Sequence, residues 1–262
     1  MPQYLETREF RHEVAKGTVS GALNVRALGE RESMQVVVQG EDISRLNELS
    51  PTPTNTTTIP VPASTGEQFT VVSEGDEDTG NGTGVRTLRL HIIRLSDGKE
   101  RTEDITMNGT TEVDTVITDG VFINDMYALS VGSNGVAVDH IKVYKKGEVG
   151  TVYNMIAKGG NKSMIPNRMV PAGKTLILRG WHAEEAKGKR VAMRIRSTDM
   201  HGELIEGVFC FKDVAYINKA ATGDLHLNIP IPSFSIIKVS GWADVAGAET
   251  SCGWYGILED TP

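Results

Sequence analysis

A chain of 262 residues that is 39% hydrophobic is long enough to bury a sizeable core, as one large or two medium domains, and too apolar to be disordered. Its formal net charge of -7 and pI near 5.4 argue against nucleic acid and against an anionic membrane surface as partners, since both call for clustered Lys and Arg. Cys210 and Cys252 are too few for a disulfide framework or a four-ligand zinc site, and both sit in surroundings that read as core.

Residues 1–16, MPQYLETREFRHEVAK, are polar and mixed in charge and fit a short helix or a loose arm. They carry no basic region followed by an apolar stretch, so no secretory signal is expected and the chain is expected to fold in a reducing cytosol. No apolar run is long enough to span a bilayer. Residues 18–28 and 33–39 are apolar and strand-like, and in the second Met34, Val36 and Val38 alternate with other residues. Residues 41–49 fit one or two helical turns. Residues 50–62, SPTPTNTTTIPVP, exclude helix, and each proline withholds a ladder donor. They read as an extended linker that sets residues 1–62 apart as an N-terminal arm.

The body begins with a strand over residues 68–73 and a long acidic loop over 74–84. Strands over 85–95 and 101–107 flank a Ser96-Asp97-Gly98 turn, and Asn108-Gly109 is a tight turn because both residues accept positive φ cheaply. Leu88, Leu90 and Ile92 share one face, whereas Ile93 and Leu95 fall on the other. That phase slip predicts a β-bulge or burial on both faces. Short strands over 112–117, 121–131 and 136–143 follow, punctuated by Asp119-Gly120, Ser133-Asn134-Gly135 and Lys146-Gly147.

A second half runs through strands over 151–157, 175–181, 189–196, 203–211, 225–229, 234–240 and 249–258. In the third of these Val191, Met193 and Ile195 point one way and Arg190, Arg194 and Arg196 the other, the mark of a strand buried on one face. Long amphipathic segments between strands are missing, which excludes a doubly wound α/β fold. The expected fold is all-β, with two antiparallel β-sandwich, jelly-roll-like domains over 63–150 and 151–262, preceded by the extended arm over 1–62.

No motif carries a reaction. Asp76, Asp78 and Gly80 match the start of a calcium loop, but Asn81 and Thr87 stand where that loop needs Gly and Glu. The segment reads as a solvated acidic loop, with an oxygen-ligand site outside that pattern left open. His182 with Glu184 and Glu185 lacks a distant third ligand. His12, His91, His140, His201 and His226 show no ligand spacing, and His140 beside Asp139 reads as a paired surface residue. Trp181, Trp242, Trp254 and Tyr255 read either as core aromatics, the commoner use, or as a sugar-stacking platform. Neither a nucleophile elbow nor a phosphate-binding loop occurs. A glycosidase pair of carboxylates leaves no sequence signature, so that chemistry stays as an alternative. No cofactor, metal or catalytic residue is expected.

The blocks at residues 78–111, Val121-Phe122-Ile123-Asn124 and Val131-Gly132-Ser133-Asn134-Gly135 resemble a family of tailed-phage virion structural proteins. So do the later blocks Met169-Val170-Pro171-Ala172-Gly173-Lys174-Thr175, Arg179-Gly180-Trp181-His182-Ala183 and residues 187–196. The resemblance spans roughly residues 65–258, with residues 1–60 outside it. It implies a non-enzymatic particle component, most of all a capsid-decorating or head-associated protein, located in the virion and assembled in the host cytoplasm. A tail or neck component, or a tail-borne glycan or receptor binder, is the alternative. Implied partners are other copies, as a trimer or else a dimer, and virion proteins such as the major capsid protein. The arm is expected to make these contacts through its apolar runs, with Ala22, Leu23, Val25, Met34, Val36 and Val38 as assembly residues.

Overall fold

A computed structural model describes residues 8–34, 41–43, 65–148, 150–198, 209–218 and 228–261. The described residues are nearly all β, and their sheets are antiparallel. In chain order the elements are α1 (Arg8–Lys16), β1 (Ala22–Met34), β2 (Glu41–Asp42), β3 (Phe69–Ser73), β4 (Val85–Arg94), β5 (Glu100–Thr106), β6 (Val113–Asp114), β7 (Gly120–Val131) and β8 (Ile141–Lys145). They continue as β9 (Asn154–Ile156), β10 (Arg168–Met169), β11 (Lys174–Glu185), β12 (Arg190–Thr198), β13 (Phe209–Asn218), β14 (Ile229–Ile231), β15 (Ile236–Ala243) and β16 (Ala248–Asp260). No helix among the described residues is long and apolar enough to cross a membrane.

Two sheets build the first half, in the orders β6-β3-β8-β9 and β5-β4-β7. Phe69, Val71, Leu88, Leu90, Ile92, Met126, Ile141 and Val143 fill the space between them. Two more build the second half, β1-β16-β11-β14 and β10-β15-β12-β13, with β2 added to β15. Their shared core holds Met34, Leu176, Trp181, Met193, Ile195, Val239 and Trp254. The phase slip in β4 has both of the predicted consequences. The β4–β7 register shifts after His91 and again after Ile93. Ile92 enters the first core, while Ile93 joins Val121, Phe122, Met169 and Ile236 in a third cluster that spans the seam between the halves.

Three readings are corrected. Residues 22–34 are not part of a free arm, because β1 pairs along β16 from Ala22↔Glu259 to Met34↔Ala248 and closes the second half's sheet. Val25 and Met34, expected to make assembly contacts, are buried in their own chain's core, whereas Leu23 is 57% exposed. Val36 and Val38 lie outside the described residues. Glu41 and Asp42 form a short strand on β15 in place of a helical turn. Residues 154–156 belong with the first half and not with the domain expected over 151–262, since β9 still pairs with β8. Residues 8–16 take the helical option, and the Thr18 hydroxyl donates back to the Glu13 carbonyl at 2.9 Å.

Candidate functional site

The polar face of β12 builds the most distinctive surface of the protein. Period-two alternation sends Val191, Met193 and Ile195 into the core and Arg190, Arg194 and Arg196 to the opposite side, as the sequence predicts. That side is not bare. A bulge in β13 at Lys212 puts Phe211 opposite Arg196 and Asp213 opposite Ile195. Phe211 therefore covers the outer face, while Asp213 reaches inward and accepts the Trp181 indole N–H at 2.9 Å.

Cations and aromatics interleave across three strands there. The Arg194 guanidinium lies 3.3 Å from the centroid of the Trp242 ring and 4.3 Å from that of Phe211. Arg196 lies 4.9 Å from the Phe211 centroid, and the Lys238 ammonium 4.3 Å from that of Phe209. Lys238 is wholly buried and its charge is compensated by Asp42, with Nζ 2.9 Å from the carboxylate. Burial pulls the basicity of Arg194, Arg196 and Lys238 down, and for Lys238 the Asp42 charge opposes that shift. Among the described residues the Nε groups of Arg194 and Arg196 have no hydrogen-bond partner.

One step along the same face, Ala192 stands directly opposite Tyr216 on β13 and Trp242 on β15. Adjacent strands lie about 4.8 Å apart, so the two aromatic stems stand about 10 Å apart with a single methyl between them. The result is a groove of about 480 Å³ lined by Tyr216, Trp242 and Ala192, with Arg190, Asn218 and Asp244 around it. Tyr216 is 80% exposed, while Ala192 at the floor is buried.

A different arrangement fastens the seam between the halves. The Glu100 carboxylate meets Arg168 at 2.6 Å, His91 Nδ1 at 2.9 Å and the Asn124 amide at 2.5 Å. Burial works against its ionised form, but the His91 contact, the Arg168 charge and the Asn124 hydrogen bond outweigh it and bring Glu100 down to about 2. Asn124 also pairs with the Met169 backbone, accepting its N–H at 2.8 Å and donating to its carbonyl at 3.0 Å.

The residues singled out in sequence meet varied fates. Asp78 is fully buried, and its carboxylate accepts the Ser73 hydroxyl and the N–H groups of Val85, Val138 and Asp139 at 2.8–3.1 Å. Four protein donors occupy it, so it organises the loop. Among the described residues no three His, Cys, Asp or Glu side chains converge as metal ligands. Glu185 accepts the N–H groups of Lys187 and Lys189 and so pins the β11–β12 turn. His140 accepts the Lys158 N–H at 3.1 Å, and Asp139 pairs with the Lys158 ammonium.

The four aromatics do not form one platform. Trp181 and Trp254 are opposed on β11 and β16 and buried, each 1% exposed, while Trp242 lies on the outer face of the other sheet. Cys252 is a core residue whose thiol is pushed up by burial, whereas Cys210 is exposed, contrary to expectation, and neither is in a disulfide. Sequence reasoning missed Tyr216 and Glu100. The strand was expected to end at Phe211, which left Tyr216 beyond it, and the run Glu-Arg-Thr-Glu-Asp over 100–104 looks like an ordinary charged edge.

Fold and surface together define an antiparallel β-sandwich protein with a cationic, aromatic face on one sheet. No protein-family profile and no curated protein matches the chain. Among solved structures it was aligned with the crystal structure of the infectious bursal disease virus VP2 subviral particle. The identity is 11% over 96% of this chain and 77% of that one, at a TM-score of 0.13, too low to carry an argument about fold or function.

Proposed function

We propose that the protein is a non-enzymatic structural component of a tailed-phage virion, attached to the head as a capsid-decorating protein. The observation that carries this reading is the resemblance over residues 65–258. Its blocks supply β4, β5, β11 and β12 and the turns between them. The fold class suits the role. A component that coats a shell must hold its shape, and here two packed cores are joined by the Glu100–Arg168 pair and by the seam cluster around Ile93 and Met169. We infer further that it assembles as a trimer and docks on the major capsid protein. Since β1 is built into the sandwich, these contacts fall to surface positions such as Leu23, not to Val25 or Met34.

Purified particles provide the test. The protein should co-purify with them in many copies per particle, and labelled protein should decorate heads in negative-stain images. Label confined to the tail or neck, or absence from washed particles, overturns the reading. Light scattering of the isolated chain tests the trimer.

A further inference from the structure

We propose that the groove between Tyr216 and Trp242 binds an acidic saccharide, one pyranose ring stacked between the two aromatics and its carboxylate directed to Arg194. The inference rests on the groove alone and stands whether or not the virion reading does.

The shape is specific. Stems about 10 Å apart, with only a methyl between, leave room for one ring thickness flanked by two aromatic faces. A larger residue at position 192 would fill the floor. Arg190, Asn218 and Asp244 are exposed at the groove and offer donors and acceptors to ring hydroxyls. Tyr216 is 80% exposed, so its ring is presented to solvent at the rim of the groove.

Charge selects the class of sugar. Among the described residues Arg190 and Asp244 line the groove, and Arg194 and Arg196 lie on the same face of the sheet beside the Trp242 and Phe211 rings. Asp42 is engaged by Lys238 and Asp213 by Trp181. Arg194 lies over the Trp242 ring, 3.3 Å from its centroid, and among the described residues neither its Nε nor that of Arg196, which is 7% exposed, has a hydrogen-bond partner. In a chain of net charge -7 this is a local cationic site. A uronate carboxylate beside the Trp242 ring would add a charged hydrogen-bond acceptor for the half-buried Arg194. Single-stranded nucleic acid also stacks on aromatics beside arginines, but it needs a basic track along its backbone, and the acidic chain disfavours that.

Tryptophan fluorescence reads the site directly, because Trp181 and Trp254 are buried and Trp242 is the tryptophan that borders the groove. The full chain is titrated with tetragalacturonate, with maltotetraose, and with an oligothymidylate. We expect a saturable change with tetragalacturonate and binding roughly tenfold weaker or less for the neutral sugar. Tyr216→Ala should weaken tetragalacturonate binding by about tenfold. Arg194→Gln should remove the preference for the acidic sugar. Trp242→Ala should abolish the response, and calorimetry replaces fluorescence for that variant. If Trp242→Ala fails to fold, Tyr216→Ala still decides, since its exposed ring supports nothing. No saturable response, equal binding of both sugars, unchanged binding in Tyr216→Ala, or tighter binding of the oligothymidylate each overturns the proposal.

Discussion

Glu100 on β5 and Arg168 on β10 meet across the seam between the two halves, carboxylate to guanidinium at 2.6 Å, with Arg168 almost fully buried. The chain separates them by 68 residues, yet the pair and its neighbour Asn124 hold one half's sheet against the other. The first prediction concerns this joint.

Glu100 lies well below its ordinary value of 4.5, at about 2 in the folded protein. A group depressed on folding stabilises the folded state above its unfolded value, and that stability is lost as pH falls toward the folded one. Glu100→Gln should therefore cost about 3 kcal/mol near neutral pH, by breaking a largely buried pair. The gap between wild type and variant should close as pH falls from 4.5 toward 2. Asp97, Asp104, Asp114 and Asp119 are lowered too, so the difference between the two proteins is the quantity to follow by denaturant unfolding. A gap that stays constant down to the acid end would remove Glu100 from this role.

The second prediction concerns Asp78. Asp78→Ala leaves a buried hydroxyl, one buried N–H and two partly buried N–H groups without their acceptor, and should cost about 3 kcal/mol. Asp78→Asn keeps one acceptor oxygen and should cost less. Gly84→Ala should destabilise the same loop, because its Cβ would sit 2.1 Å from the Asp78 carboxylate oxygen. Calcium should leave the melting temperature unchanged, since the carboxylate is already filled. A calcium-dependent rise in melting temperature that Asp78→Asn abolishes would reverse this account.

The local chemistry of these elements was legible in the sequence. The Ser96-Asp97-Gly98 and Asn108-Gly109 turns carry positive φ at both glycines, 63° and 61°. The alternation in β12 and the slip at Ile92 and Ile93 were readable because period and phase are local properties. Long-range pairing was not. Ala22 finds Glu259, and nothing near either residue reports the other. The prolines over 50–62 then made a sandwich strand look like a detached arm. The groove was hidden for the same reason, since Tyr216, Ala192 and Trp242 become a row only through two strand registers.

The third prediction compares neighbours on β12. Met193 is fully buried, and Met193→Ala should cost about 2–5 kcal/mol through lost contacts and a cavity. Arg194 points the other way but is sandwiched by Phe211 and Trp242, so Arg194→Ala should cost about 1 kcal/mol, not nothing. Equal losses in thermal or chemical melts would mean that the two faces of β12 are wrongly assigned.

The last prediction concerns β1. Its ladder makes β16 an interior strand, with Ala27 opposite Trp254 and Leu28 opposite Gly253. Deleting residues 1–49 would strip that ladder, remove β2 from β15, and expose the side of the core that Met34 and Ile43 close. The deletion should therefore fail to give a soluble, cooperatively folding second half, through exposure of both a sheet edge and a core. Single substitutions separate folding from surface roles. Met34→Ala should cost about 2–5 kcal/mol, because that side chain is fully buried. Leu23→Asp, at a position 57% exposed, should change stability by no more than about 0.5 kcal/mol, while remaining free to weaken any contact between copies. Unfolding curves measure the first effect, and light scattering the second. A deletion variant that melts like the full chain would show that β1 adds nothing to the sandwich, and would return residues 22–34 to the status of a separable arm.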